Sequence, residues 1–396
     1  MSNDERGAAS AKKLRVLLVE DSPFDAELLA ARIGGGGYDL AVRRVQTADE
    51  LHDALEKETW DIILSDHNMP GFSSTEALAI VKKEMHLDIP FLIVSGSIGE
   101  ELAVESMRAG ASDYILKDNL ARLVPAIERE LRDAVERREL RKAEKALVVQ
   151  QEQMRIARDI QQRLFPASAP SLPGFDIAGA SHPADATGGD YFDYIPLASQ
   201  RLAVVIGDVS GHGVGAALLM ADTREALRAL ASTGADPREN LMRADKLLRH
   251  DFGDEQFITL LFALLDPVVG TLSYVSAGHP SGYIIDQSGG IKRTLSAQCP
   301  ALCLPTATPC VPPLAMIQLA PGDVAVLLTD GVLEAFSGSS EEYGADRVCE
   351  VIRAHRDKPA AEIVEQLFKS VQEFGDSQPQ QDDITAVIIK YTGKPA

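Results

Sequence analysis

The sequence predicts a multidomain protein: an α/β doubly wound unit with a parallel sheet, a long helical linker, and an α+β unit of antiparallel sheets with flanking helices. Three observations carry this reading. The chain has 396 residues, two or three times the usual domain size. From Leu14 to Ala134, short apolar runs (LRVLLVE, WDIILSD, IPFLIVSG, SDYILK) alternate with helical stretches, the rhythm of parallel strands covered on both faces. After Pro166 the runs become strand-rich (RLAVVIGDV, QFITLLFALLD, GTLSYVSAGHPSGYIID, DVAVLLTDG, DITAVIIKY), the rhythm of two packed sheets with helices outside.

The elements follow in order. Residues 1–13 are polar and small and are expected to be disordered, and residues 14–134 form the first domain. Residues 120–165 contain no glycine and one proline, Pro125, so they read as one long helix or two nearly continuous ones. Their apolar positions (Leu120, Val124, Ile127, Leu131, Val135, Leu140, Leu147, Met154, Ile160, Leu164) make a broken heptad. Such a stripe cannot bury itself alone. It either forms a coiled coil with a second copy, making a homodimer, or docks within the chain. Residues 166–396 form the last domain.

Composition narrows the function classes. Apolar residues at 45% and charged residues at 25% are globular proportions. Fifty-nine acidic against 39 basic side chains leave a net charge of −20, which disfavours nucleic acid as a partner. The absence of an apolar run of about 18 residues argues against a membrane span, and the polar start lacks a signal-peptide core, so a cytoplasmic protein is expected. The four cysteines make no disulfide framework. Cys299, Cys303 and Cys310, in CPALCLPTATPC, match no zinc or redox spacing and read as free thiols. The tetraglycine Gly34 to Gly37 reads as a flexible turn, since it lacks the Lys-Ser/Thr ending of a phosphate-binding loop.

In a parallel sheet, ligands gather at the carboxyl ends of the strands. Those ends carry Glu20 and Asp21, then Asp66, Ser95 and Lys117. Converging carboxylates repel unless a hard divalent cation sits between them, and a lysine there can pair with an anion. Asp66 is placed as a nucleophile toward a phosphoryl group. On these residues, 14–134 resemble the receiver domain of two-component response regulators. The resemblance implies that Asp66 accepts phosphate from a histidine kinase or phosphotransfer protein. It implies that Asp21, with Glu20 behind it, binds Mg²⁺ together with Asp66 and the backbone carbonyl of Asn68. Ser95 and Lys117 would contact the acyl phosphate, and Tyr114 resembles the aromatic switch residue. Asp118 follows Lys117 where the family usually has proline.

Four acidic motifs mark the last domain: GGDYFD (Asp190, Asp193), GDVSGHG (Asp208), LLTDG (Asp330) and QDDIT (Asp382, Asp383). Each borders an apolar strand, and glycines beside three of them let backbone approach a ligand. An all-oxygen carboxylate set selects Mg²⁺ or Mn²⁺ over zinc. Two such ions lower the pKa of a water between them and suit in-line attack on a phosphate ester. Together with ARDIQQRLFP and SYVSAGHP, these motifs resemble the SpoIIE-like branch of the metal-dependent (PPM) serine/threonine phosphatases, over roughly residues 150–392. That resemblance implies a β-sandwich with flanking helices and a centre of two Mn²⁺ or Mg²⁺ ions.

Residue by residue, the resemblance has Asp208 bridging the metals, with the carbonyl of Val209 ligating one. Asp330 and Asp382 complete one site and Asp190 serves the other; Asp208, Asp330 and Asp382 carry the catalysis. Asp383, counted with the metal-site residues, is placed to hold Asp382 or a metal-bound water. His212 reads as a turn residue before the GVGAALLMADTREALRAL helix rather than a catalytic acid, and His279 as a turn residue rather than a substrate contact. The sequence identifies no cation for the substrate phosphate, Arg224 being no more than a guess.

The whole then reads as a response regulator whose Asp66 phosphorylation controls a protein phosphatase. The resemblance points to a phosphorylated STAS-type anti-sigma-factor antagonist, in a partner-switching pathway, as its substrate. The alternative is a non-catalytic scaffold that binds partner-switch proteins through a pseudo-phosphatase domain. The intact set of Asp190, Asp208, Asp330 and Asp382 weighs against that alternative.

Overall fold

A strand apolar at every position can only be buried on both faces, and that property organises both halves of this chain. The structure is a computed structural model and describes residues 12–96, 100–234, 236–251, 256–304, 310–337, 341–375 and 380–393. They fall into two units, Met1–Val148 and Val149–Ala396. Of the expected disordered segment 1–13, residues 1–11 lie outside the described residues. Lys12 and Lys13 instead begin the first strand, because they pair with Tyr38 and Asp39 of the second.

The first unit runs β1 (Lys12–Val19), α1 (Pro23–Gly34), β2 (Tyr38–Val45), α2 (Ala48–Lys57), β3 (Ile62–Asp66) and a small hairpin, β4 (Asn68–Met69) and β5 (Phe72–Ser73). It continues with α3 (Ser74–Ala79), a π-turn (Ile80–Glu84), β6 (Phe91–Ser95), α4 (Glu100–Ala109), β7 (Asp113–Leu116), a 3₁₀ turn (Lys117–Arg122) and α5 (Leu123–Gln162). The sheet order is β2-β1-β3-β6-β7, with every pair parallel. Successive strand residues point to opposite faces. Leu17, Val19, Ile63 and Ile93 therefore enter one core with Leu51 and Leu78, while Val16, Leu18, Ile62, Leu64 and Val94 enter the other with Leu29 and Ile127.

The linker is one helix of 40 residues. Pro125 falls in its first turn, where a missing N–H costs nothing. Leu123, Ala126, Ile127 and Ala134 are buried in the first unit, so the helix docks within the chain over its opening turns. Beyond them Leu140, Leu147, Val148 and Val149 are exposed.

The second unit holds β8 (Phe175–His182), β9 (Asp190–Pro196), β10 (Leu202–Val209), α6 (Gly213–Ser232), α7 (Pro237–Leu248), β11 (Ile258–Asp266) and β12 (Thr271–Ala277). Then come β13 (Gly282–Ile285), β14 (Ile291–Leu295), β15 (Ala315–Gln318), β16 (Val324–Leu328), α8 (Asp330–Leu333), α9 (Gly344–His355), α10 (Ala360–Phe374) and β17 (Ile384–Tyr391). Two antiparallel sheets, β15-β12-β11-β10-β9 and β14-β13-β16-β17-β8, pack face to face. Phe192, Val204, Ile206 and Leu261 meet Ile284, Leu327, Val387 and Ile389 between them. Tyr191, Val205 and Phe262 bury the first sheet's outer face under Met220, Leu227 and Leu241 of α6 and α7. The second sheet's outer face is covered by α9 and α10 through Val348, Ile352, Ile363 and Leu367.

The alternation separates the two acids of GGDYFD. Asp190 shares the inter-sheet face of β9 with Phe192, whereas Asp193 shares the helix-facing side with Tyr191. Asp193 is fully buried there. Its carboxylate accepts two hydrogen bonds of 2.6 Å from Arg228, one of 3.0 Å from the Tyr191 hydroxyl and one of 2.8 Å from the Tyr194 N–H. Arg224 lies on the same side, its Nε donating to the Leu164 carbonyl at 2.9 Å and standing 3.8 Å from Asp193. That occupation corrects its reading as the cation for a substrate phosphate.

Cys299 is joined to Cys310 by a disulfide, with a Cα separation of 5.8 Å, which corrects the free-thiol reading for that pair. The cause is tertiary. A bridge between Ala277 and Cys299 fixes one partner, and the chain returns to within disulfide reach. Cys303 and Cys349 are free and buried. Among the described residues no helix is long and apolar enough to cross a membrane.

The Asp193 ion pair provides a test of the helix-to-sheet packing. Arg228→Ala leaves a fully buried carboxylate without its bidentate partner and should lower stability by about 3 kcal/mol in urea unfolding. A loss under about 1 kcal/mol would assign the pair to the weak class of surface ion pairs.

Candidate functional site

In the first unit the order β1-β3-β6-β7 sets four strand ends side by side. Glu20 follows β1, Asp66 ends β3, Ser95 ends β6 and Lys117 follows β7. The register pairs Val19 with Ser65, Asp66 with Val94, and Ser95 with Leu116, so these side chains stand at one level. The Lys117 Nζ lies 3.0 Å from Asp66 Oδ2, 3.2 Å from Glu20 Oε2 and 2.5 Å from Asp25 Oδ2. Ligand oxygens of Glu20, Asp25 and Asp66 all fall within 4.8 Å of one another. Burial raises the Glu20 carboxyl, opposed by the Ser22 N–H. Burial also works against the Lys117 charge, but Asp25, Asp66 and Glu20 outweigh it and hold the ammonium above its usual value. Three carboxylates against one ammonium leave an excess negative charge, and this oxygen cluster is compatible with a divalent cation.

Asp21 is not part of that trio. Its backbone carbonyl accepts from Arg44 Nη1 at 3.1 Å, and Asp25 stands where the sequence suggested Asp21. Helix capping explains the exchange. Ser22 is the N-cap of α1 and accepts from the Asp25 N–H, which turns the helix's third residue back over the strand ends. Asp66 Oδ1 accepts from the His67 N–H at 2.7 Å. Asn68 is exposed in β4, Ser95 is buried, and Tyr114 packs half-buried against the core beside α2 and α3.

In the second unit, acids meet at one end of the sandwich. Asp190, Asp208 and Thr259 stand opposite one another across β9, β10 and β11, on the inter-sheet face. The facing sheet contributes Asp330, just beyond β16, and Asp382 and Asp383, just before β17. Thr329 ties the sheets together, its hydroxyl donating to Asp190 Oδ2 at 2.8 Å. The Asp208 carboxyl is pushed up to about 7 by burial and by the charges of Asp330, Asp382 and Asp383. Burial and Asp208 raise Asp190 well above the carboxylate range, and burial with Asp330 and Asp383 raises Asp382. Every neighbour acting on Asp208 is an acid. Among the described residues, only Glu20, Asp25 and Asp66 bring three ligand atoms within 4.8 Å, so the carboxylates of this second set stand further apart, as unscreened like charges do.

Glycines make the approach possible. A Cβ on Gly189 would lie 2.3 Å from the Val209 carbonyl oxygen and 3.0 Å from Asp208 Oδ1. On Gly331 it would lie 2.1 Å from the Asp383 carbonyl oxygen. Asp383 itself is an anchor: Oδ1 accepts from the Ala184 N–H at 2.8 Å, and Oδ2 from Gly189 at 2.8 Å and Asp190 at 3.4 Å. Both oxygens are committed to backbone, which distinguishes it from Asp190, Asp208, Asp330 and Asp382.

His212 is the exposed N-cap of α6, 3.7 Å from Asp185, as its turn position suggested. His279 follows β12 but is buried, with Nδ1 3.0 Å from the Thr259 hydroxyl, and burial pushes its pKa down to about 3. It is an interior neutral imidazole in the segment that follows β12. Asp25, Thr329 and Gln161 were missed in the sequence. A signal existed for two of them: Asp25 sits at the N3 position after a Ser-Pro helix start, and Thr329 immediately precedes Asp330 in LLTDG.

Comparison with known proteins agrees with this division. Residues 16–128 match the response regulator receiver domain family, and residues 198–392 match stage II sporulation protein E (SpoIIE). Protein IcfG of Synechocystis sp. is 27% identical over 401 residues, which cover 94% of this chain and 58% of IcfG. The chain thus spans under two thirds of that relative's length. Phosphoserine phosphatase RsbU of Bacillus subtilis is 28% identical over 245 residues, covering 61% of this chain and 72% of RsbU. The solved SiaA-PP2C domain of Pseudomonas aeruginosa shares the fold of the second unit, at a TM-score of 0.54 and 24% identity, over 62% of this chain and 98% of that domain. Sheet topology, strand-end acids and family matches agree that this chain joins a response regulator receiver domain to a phosphatase domain of the SpoIIE/PPM family.

Proposed function

We propose that the second unit is a metal-dependent phosphatase of phosphoserine and phosphothreonine in proteins, controlled by phosphorylation of Asp66. The observation that carries this reading is the convergence of Asp190, Asp208, Asp330 and Asp382 at one mouth of the sandwich, with no cation among the described residues acting on Asp208. The donor set is all oxygen and hard, which fits Mg²⁺ or Mn²⁺. The glycine cradle supports the fit, because Gly189 leaves the Val209 carbonyl open beside Asp208. Two such ions, when bound, supply charge neutralisation at the transferring phosphoryl oxygens and activate water.

The chain's own residues divide the work. Asp208, which stands opposite Asp190 on its own sheet and feels Asp330 and Asp382 from the facing one, would bridge the two positions. Asp330 and Asp382 would hold one position, Asp190 and the Val209 carbonyl would serve the other, and Thr329 orients Asp190. Asp383 anchors the loop that presents Asp190.

In the receiver, Asp66 is the phosphoryl acceptor and a histidine kinase or phosphotransfer protein the donor. Glu20, Asp25 and Asp66 would hold Mg²⁺, with Asp21 and the Asn68 carbonyl as further candidate ligands. Lys117 and Ser95 meet the phosphoryl oxygens, and Tyr114 reports the change. A STAS-type phosphoprotein is the substrate class; the similarity to RsbU, a phosphoserine phosphatase, supports the phosphoserine part of this reading. The exposed Leu140 and Leu147 of α5 support a homodimer through the linker.

Asp208→Asn should lower Mn²⁺-dependent hydrolysis of an aryl phosphate and of a phosphoserine protein by about 10²–10³-fold. Equal rates in wild type and variant on both substrates would sink the enzyme reading. In the receiver, beryllofluoride should change phosphatase activity or mass in solution, and Asp66→Ala should abolish the response. If neither quantity moves, the receiver is not the switch.

The metal-free site also fixes a pH dependence. The Asp208 carboxyl has a folded pKa of about 7 against an ordinary 3.8. Between those values the unfolded chain has released the proton and the folded chain keeps it. Stability is therefore full below about pH 4 and is lost as pH rises through about 7. Chelator-treated wild type should lose on the order of 3 kcal/mol more than Asp208→Asn across that window. Parallel pH curves for the two proteins would contradict the raised pKa.

A further inference from the structure

The ARDIQQRLFP segment ends the linker helix, and its polar side chains are spent in an unexpected place. Gln161 is buried, 5% exposed, and its amide closes a reciprocal pair with the backbone of Gly188. Nε2 donates to the Gly188 carbonyl at 2.6 Å, and the Gly188 N–H donates to Oε1 at 3.1 Å. One turn earlier, Arg158 donates from Nε to the Ala186 carbonyl at 3.1 Å and from Nη2 to the Asp185 carbonyl at 3.0 Å. Four hydrogen bonds thus run from the end of α5 to residues 185–188, which lead directly into Gly189 and Asp190.

The same loop is held from its other side. Asp383 Oδ2 accepts from the N–H groups of Gly189 and Asp190, and a Cβ on Gly188 would lie 1.9 Å from that oxygen. The loop is therefore layered between a carboxylate of the second sheet and an amide of the helix, with no room for slack. The Gln161 amide both donates and accepts at this position; a carboxylate there can only accept, and a hydrocarbon can do neither. A buried backbone pair left open would cost the loop its fixed height.

We infer that Gln161 is a positioning residue for the metal position served by Asp190, with Arg158 steadying the approach to the same loop. The inference rests on the two-metal reading of the second unit and adds to it a ligand support supplied by the linker helix. Groups that orient metal ligands typically account for about 10–100-fold in metal affinity. Their loss should appear first in the position they orient, here that of Asp190 and not that of Asp330 and Asp382.

The test is Mn²⁺ titration of the full chain by calorimetry, with thermal unfolding of the metal-free proteins alongside. Asp208→Asn identifies the ions held by the second unit, since any ion bound by the receiver is unaffected by it. Gln161→Leu should weaken one of the second unit's two positions about tenfold and leave the other unchanged. Gln161→Glu should weaken the same position, because it keeps only the bond from the Gly188 N–H. Arg158→Ala, at an exposed site where folding is not at stake, should shift that position in the same direction by a smaller factor. Wild-type affinities at both positions in Gln161→Leu and Arg158→Ala would overturn the inference while leaving the two-metal reading intact. Equal weakening of both positions with a matching loss of thermal stability would overturn it in favour of a merely structural amide. No Mn²⁺ uptake lost in Asp208→Asn would overturn the two-metal reading itself, and the inference with it.

Discussion

Like-charge repulsion between carboxylates gathered at strand ends is the constraint on which both halves of this protein depend. Aspartates set a few ångströms apart in a low-dielectric site destabilise one another, and a chain keeps them there only if the surrounding structure is rigid enough to forbid their escape. In the second unit that rigidity comes from the sandwich. Asp190 and Asp208 are locked in cross-strand register, Asp330 and Asp382 are fixed at the ends of two paired strands of the opposite sheet, and Thr329 bonds one sheet to the other. The apolar layers between and outside the sheets fix the strands that carry these acids, so the strand ends cannot separate without opening a core.

The two acidic sites solve the same problem differently. In the receiver, Lys117 reaches into Glu20, Asp25 and Asp66 and offsets part of their charge from within the chain. In the phosphatase domain the neighbours acting on Asp208 only add to the repulsion, and burial together with those charges pushes its carboxyl up to about 7. The first site is held ready by an internal cation, which suits a position where charge arrives as a phosphoryl group. The second is left in electrostatic deficit, which suits a position meant for resident cations. Each distribution follows from which strand ends the topology brings together.

Much of this was legible in the linear order of residues. Apolar runs of two rhythms announced a parallel sheet and a pair of antiparallel sheets, and the acids at the ends of those runs, Asp66, Asp190, Asp208, Asp330 and Asp382, were identified because a strand end is a local feature. What escaped was what depended on side-chain direction or on a partner far along the chain. Asp193 reads like Asp190 in the string GGDYFD, yet odd spacing along a strand sends it to the helix side and into an ion pair with Arg228. Arg224 looked like a spare cation until the Leu164 carbonyl and Asp193 claimed it. Asp25 replaced Asp21 in the receiver cluster because a helix cap, three residues long, decided which acid turned inward.

The sequence by itself determined the two fold classes, the presence of a long helical linker and the identities of the strand-end acids, because all of these follow from periodicity and from interactions within a few residues. Tertiary structure alone decided which oxygens face one another, that Asp383 anchors a loop, that Cys299 finds Cys310, and that Gln161 grips the backbone beside Asp190. These are contacts between segments that periodicity does not relate. Their geometry is set by how whole sheets and helices pack, and packing depends on every buried side chain at once.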